Sequence, residues 1–204
     1  MDRRDTLRWM IAAAAAPVWR TAGAAVAAPR AGKGMGTDPD LMAVYEHGKL
    51  WPLTFTPAQS RCAAALCGVI IPADERSPGA DALGVHEFID EWISAPYPDQ
   101  QHDRKTVLEG LAWIDAEAAR RFGAAFAALP TGQQQAICDD ICWVDKAGRR
   151  FAKPAKFFAL FRDLTAGGFY TTPEGTKDLR FAGNVASENF DGPPAAVLKI
   201  VGVS

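Results

Sequence analysis

The sequence is poor in the residues on which most catalytic motifs depend. Its three histidines, His47, His86 and His102, stand on unrelated stretches. No H-E-x-x-H or His/carboxylate facial set is present, which removes the common metallohydrolase and non-haem iron signatures. G-x-S-x-G and a Walker loop are also missing, so neither a serine hydrolase elbow nor a phosphate cradle is encoded in any short motif. Four cysteines occur, Cys62, Cys67, Cys138 and Cys142, with no C-x-x-C and no C-x-x-C-H among them. That excludes covalent haem attachment and the usual tight zinc pairs. Apolar runs long enough to span a bilayer are lacking. There is no basic run, and the formal net charge of −2 argues against a nucleic-acid role. Strand-like alternation and internal repeats are absent as well.

What the chain does have is helical patterning. Its 204 residues, 49% hydrophobic and 23% charged, suit one globular domain with tails, large enough to bury a core without staples. Thr56 is a suitable N-cap, Pro57 suits the first helical position, and Gln59 completes a capping box. Cys62, Ala65, Leu66, Val69 and Ile70 then share a face, and Pro72 ends the helix. After a turn with Pro78 and Gly79, a second helix carries Val85, Phe88, Ile89, Trp92 and Ile93, closed by Pro96. A long helix is predicted from Gln101 to Phe122, with Val107, Leu111, Ile114 and Ala118 on its stripe. A short helical turn follows and stops at Pro130. Thr131 and Gln134 form a second capping-box pattern, opening a helix through Ile137, Ile141 and Val144 that breaks near Gly148. Pro154 opens another helix, whose Phe157, Phe158 and Phe161 read as core, and Gly167-Gly168 supply its stop. Thr172-Pro173-Glu174 starts one more short helix. The expected architecture is all-α: an irregular bundle of five or six helices with a loop-rich C-terminal segment.

Residues 1–28 read as a targeting segment, residues 29–54 as a linker and extended stretch, and residues 55–204 as the helical domain with its tail. The n-region MDRRDTLR precedes a short alanine-rich run, and Ala25-Val26-Ala27 fits a cleavage pattern. Arg3-Arg4, with Leu7 beyond, resembles a twin-arginine export signal, although Asp2 and Thr6 depart from it. A plain secretory signal is the alternative. Without residues 1–27 the charge becomes −4, from 18 cations and 22 acids. The expected location is the periplasm, with any membrane association made through partners.

In an exported protein an even cysteine count suggests disulfides. Cys62 and Cys67 are too far apart along one helix to pair, about 7.5 Å of rise. Cross-links between the two cysteine-bearing helices are therefore expected: Cys62 with Cys142 and Cys67 with Cys138 if these run antiparallel, the swapped pairs if parallel. Phe169, Tyr170, Lys177, Arg180 and Phe181, aromatics beside cations in a turn-rich segment, are candidate partner-interface residues.

Several blocks also resemble a known family. They are Val69-Ile70-Ile71-Pro72-Ala73-Asp74, Pro78-Gly79-Ala80, Gly84-Val85 and Phe88-Ile89-Asp90, then Leu111 and Asp115. Gly168-Phe169-Tyr170-Thr171-Thr172-Pro173-Glu174-Gly175, Lys177-Asp178 and Gly183-Asn184 follow in order. The chain is similar to subunit 3, the small or gamma subunit, of membrane-bound gluconate 2-dehydrogenase and related flavin-dependent sugar dehydrogenases. That resemblance implies an accessory subunit with no redox cofactor, catalytic residue or metal of its own. FAD would belong to a large flavoprotein subunit and haem c to a multihaem cytochrome c subunit. The small subunit would assist maturation of the large one and its export by the twin-arginine translocon. Two other classes compete with this: an independent exported enzyme whose site assembles distant residues such as Asp74, Glu75 and His86, and a free-standing binding protein.

Overall fold

The structure, a computed structural model, describes residues 39–40, 43–179 and 192–202. Arg3, Arg4 and the whole of residues 1–28 lie outside the described residues, as do Arg180, Phe181, Gly183 and Asn184. The chain divides into two compact units, Met1–Tyr45 and Glu46–Ser204, and every described helix belongs to the second. In the first, the Asp40 N–H donates to the Tyr45 hydroxyl at 2.9 Å.

The described residues form seven α-helices and no strand, so the all-α class holds, with more helices than the five or six expected. Helix α1 (Pro57–Ile70) begins as its sequence dictates: Thr56 Oγ1 accepts from the Gln59 N–H, and Gln59 Oε1 accepts from the Thr56 N–H. Cys62, Ala63, Leu66 and Cys67 are its buried residues. Helix α2 (Val85–Ser94) buries Val85, Ile89 and Ile93, while Phe88 and Trp92 sit at the edge of the stripe and stay half exposed. Helix α3 (Pro98–Phe122) is the long one and buries Val107, Leu111, Ile114 and Ala118. A 3-10 turn at Phe126–Ala128 drops Phe126 into the core. Its first N–H donates to Asp115 Oδ1 on α3 at 2.9 Å. Helices α4 (Thr131–Asp139), α5 (Ala152–Tyr170), α6 (Pro173–Asp178) and α7 (Ala195–Val201) complete the set.

The core lies where α1, α2, α3 and α5 meet, and it includes Leu66, Ile89, Leu111, Phe126, Phe157 and Phe161. The stretch before α1 is tied to α2 by polar contacts. Trp51 Nε1–H donates to the Glu91 carbonyl, and the N–H groups of Thr54 and Phe55 both donate to the buried Asp90 carboxylate. These bonds satisfy a buried acid with backbone donors, and they set where α1 begins.

Three local expectations are corrected. Thr131 is not an N-cap: Pro130 holds that position, and Thr131 already lies inside α4. Gln134 is buried instead, and its Nε2–H donates to the Phe126 carbonyl at 2.9 Å. A buried carbonyl needs a partner more than an exposed helix end does, so the side chain goes there. Helix α4 also stops at Asp139, well before Gly148, leaving Ile141 buried in the following turn and Val144 exposed. Gly167-Gly168 does not end α5, which runs through to Tyr170. A Cβ on Gly168 would lie 2.7 Å from Phe88 and 2.9 Å from Val85. This glycine is there for close approach of α2 to α5, not as a stop.

Candidate functional site

The most developed surface feature among the predicted site residues is a groove of about 590 Å³ between α1, α4 and α5. One wall is a single row of α5: Phe158, Arg162, Ala166 and Tyr170, four residues apart and so stacked along one face. Val69 and Ile70, at the end of α1, and Cys138 and Cys142, from α4 and its following turn, make much of the rest. Arg162, Asp139 and Gln135 add polar groups to this otherwise apolar lining.

An ion network fixes the α4 side. Glu117, only 6% exposed, takes a forked bond from Arg120 at 2.7 and 2.8 Å and a further bond from Arg121 at 2.7 Å. Arg121 reaches on to Asp140 at 2.7 Å, and Arg150 approaches Glu117 at 3.4 Å. The end of α3 is thus bound both to the end of α4 and to the 3-10 turn Arg149–Phe151 that leads into α5. Arg120's fork, aided by Arg121, outweighs burial and holds the Glu117 carboxyl down at about 2.

The four cysteines are free thiols in this structure, so the predicted cross-links are not formed. Cys67 does not face α4: its sulfur lies 3.7 Å from Thr165 Oγ1 on α5. Cys62 is buried beneath Asp115 on α3 and close to Cys138. Burial pushes the Cys67 and Cys138 thiols up to about 12, and Cys62 higher still, so none of the three is a thiolate nucleophile. Cys142 is half-buried, and its thiol donates to the Asp139 carbonyl.

Of the candidate interface residues, Tyr170 lines the groove and Lys177 is exposed on α6. Phe169 is 1% exposed and belongs to the core, where its ring packs edge-on against Tyr170. Gly175 explains the fit, since a Cβ there would lie 2.1 Å from the Phe169 carbonyl oxygen. The aromatic pair therefore splits into an anchor and a presented ring. Sequence reasoning missed the rest of the α5 row. Its i, i+4 spacing was visible, but treating Gly167-Gly168 as a stop severed Tyr170 from Phe158 and Arg162.

The scattered residues of the enzyme alternative are not brought together. Asp74 closes its own turn, accepting from the N–H groups of Arg76 and Ser77, and those bonds hold its carboxyl below the usual range. No hydrogen bond or ion pair joins Asp74 or Glu75 to His86. His47 Nδ1 instead lies 3.5 Å from Glu91. Among the described residues no group of three or more His, Cys, Asp or Glu is placed to hold a metal ion, and no helix is long and apolar enough to cross a membrane.

No curated protein and no solved structure matches the chain. The family model for gluconate 2-dehydrogenase subunit 3 matches residues 57–188, from the first residue of α1 to beyond α6 and well over half of the sequence. The blocks read in the sequence fall within that span. This chain belongs to the gluconate 2-dehydrogenase subunit 3 family.

Proposed function

We propose that this chain is the non-catalytic small subunit of a periplasmic, membrane-associated FAD-dependent gluconate or sugar dehydrogenase. In this reading it assists maturation of the large flavoprotein subunit and its passage through the twin-arginine translocon. The large subunit carries FAD, and a multihaem cytochrome c subunit takes the electrons onward. The observation that carries the reading is the family match over residues 57–188. It is supported by a preformed, largely apolar groove, in which Tyr170 and the α5 row offer a surface to a partner. Arg3-Arg4 supports the export route, because that route carries folded proteins and a chain without the signal can travel with one that has it.

The test is co-purification. The chain is tagged at its C-terminus and isolated from periplasm and membranes of its host, and the bound chains and visible spectrum are recorded. The expected result is a large flavin-containing partner that disappears from the periplasm when Arg3 and Arg4 are both changed to Lys. A colourless, solitary protein, with dehydrogenase export untouched by its deletion, would overturn the reading.

A further inference from the structure

The segment from Lys146 to Arg162 carries six cations and no acid, in a chain whose formal charge is −2. The cations alternate with apolar residues, so no run marks them. In three dimensions all but Arg162 line two clefts with aromatic rings, Trp143 exposed and Phe151 and Trp113 half-buried. Trp143, Lys146, Arg149 and Arg150 line one shallow cleft, with Phe151 at its end. Across Phe151, whose ring meets Trp113 edge-on at 6.1 Å, a second cleft is lined by Trp113, Lys153, Lys156 and the acid Glu109.

The most exposed part of this face is a closed turn. The N–H groups of Lys146 and Ala147 both donate to the Trp143 carbonyl. Trp143 is 61% exposed, Val144 is exposed beside it, and the Lys146 ammonium lies 5.3 Å from the indole centroid. The turn is held from below by buried Ile141, by the Arg121–Asp140 bridge and by Arg150 on Glu117. An indole and a valine are thus presented outward on a fixed base, although burial would favour both. The cations also break a local rule. Lys153 and Lys156 sit in the first turns of α5, with Arg149 and Arg150 just before them and no acid in the first turn, against the helix dipole. A sequence that violates helix electrostatics and exposes tryptophan at one place is serving something other than the fold.

We propose that this face is a peripheral membrane-binding surface, in which Trp143 and Val144 enter the headgroup layer of an anionic bilayer while Lys146, Arg149 and Lys153 meet its phosphates. Tryptophan is favoured at the headgroup level, with the ring in the apolar boundary and the N–H in the wet layer. Cations within a Debye length of an anionic leaflet add attraction that salt screens. Asp139 and Asp145 flank the turn and weaken that attraction, and Asp140 is already held by Arg121. Glu109 weakens it likewise beside Lys153 and Lys156, but Lys146, Arg149, Lys153 and Lys156 still outnumber the unbridged acids Asp139, Asp145 and Glu109, so the balance favours an anionic surface. A lipid surface fits better than an acidic protein segment, because the apolar pair stands at the tip of a turn. Asp139 borders both this face and the α1–α4–α5 groove, so the two surfaces adjoin. The proposal does not rest on the accessory-subunit reading, and its test contains no dehydrogenase.

The full chain, purified free of bound partner chains, is mixed with vesicles of phosphatidylcholine alone or with phosphatidylglycerol, and bound protein is measured by co-sedimentation at rising salt. The expected result is binding to phosphatidylglycerol vesicles that salt weakens. The double variant Lys146→Glu and Arg149→Glu should lower the partition coefficient about tenfold or more. Trp143→Ala should lower it severalfold. All three side chains are exposed, so thermal unfolding of the variants should match wild type; Lys146→Ala with Arg149→Ala serves if the reversal disturbs folding. Wild type that ignores phosphatidylglycerol vesicles, or variants that bind them as well as wild type, would overturn the proposal. So would variants that lose a protein partner while the wild type shows no lipid binding, since the face would then be a protein-docking surface.

Discussion

Glu117 shows how one side chain sets the geometry of a site it does not enter. Its carboxylate gathers Arg120, Arg121 and Arg150, and through Arg121 it fixes Asp140 at the end of α4. A carboxyl held at about 2 against an ordinary 4.5 is a group whose charged form the fold prefers. Its contribution is therefore present above about 4.5 and is lost as pH falls towards about 2. Glu117→Gln keeps the volume and removes the charge. At neutral pH it should cost about 1–2 kcal/mol, less than the pKa displacement alone implies, because Arg120 and Arg150 are well exposed and screened. Urea unfolding of both proteins at descending pH checks the sign: the gap between them should close as pH falls through that window. A gap that is constant with pH would show the residue acting through shape alone. The buried cysteines behave differently. Burial both packs Cys62, Cys67 and Cys138 as apolar core side chains and raises their thiols.

At the scale of helices, the closest approach is between α3 and α5. A Cβ on Gly110 would lie 2.0 Å from the ring of Phe157, which is itself buried. Alanine favours a helix over glycine by about 1 kcal/mol, but the ring would have to leave a packed position. Gly110→Ala should therefore give a net loss of about 1–3 kcal/mol, read as a lower midpoint in denaturant with the slope unchanged. Helices such as α1 were legible because their ends are written locally: Thr56, Pro57 and Gln59 act as their types predict, and Thr172-Pro173 starts α6 as expected. Misreadings fall where a residue type has two uses. Thr131 and Gln134 match the capping pattern, yet Gln134 answers a carbonyl eight residues back, which only the folded chain brings near. Gly168 has the residue type of a stop and serves as a contact. The apolar stripes predicted the helices that build the core, and the groove depended on how three of them meet, which no single stripe encodes.

Among the described residues the buried apolar side chains form one core, and α7 contributes nothing to it. None of its seven residues is buried, and Ile200 is 84% exposed. An isolated helix of this length does not gain enough hydrogen bonds to offset the order it imposes. The stability of the bundle therefore cannot depend on it. Ending the chain after Pro194 should leave the unfolding free energy within about 0.5 kcal/mol of wild type, because no buried contact is lost. Ending it after Thr172 should be costly, since α6 then vanishes and with it the cover that Gly175 gives to Phe169. Chemical unfolding of the two truncations decides between a molecule with one cooperative core and one whose tail is integral. If removal of residues 195–204 lowered stability as much as removal of α6, the tail would have to bury surface against the bundle, and its exposed isoleucine and valines could no longer be counted as outside the fold.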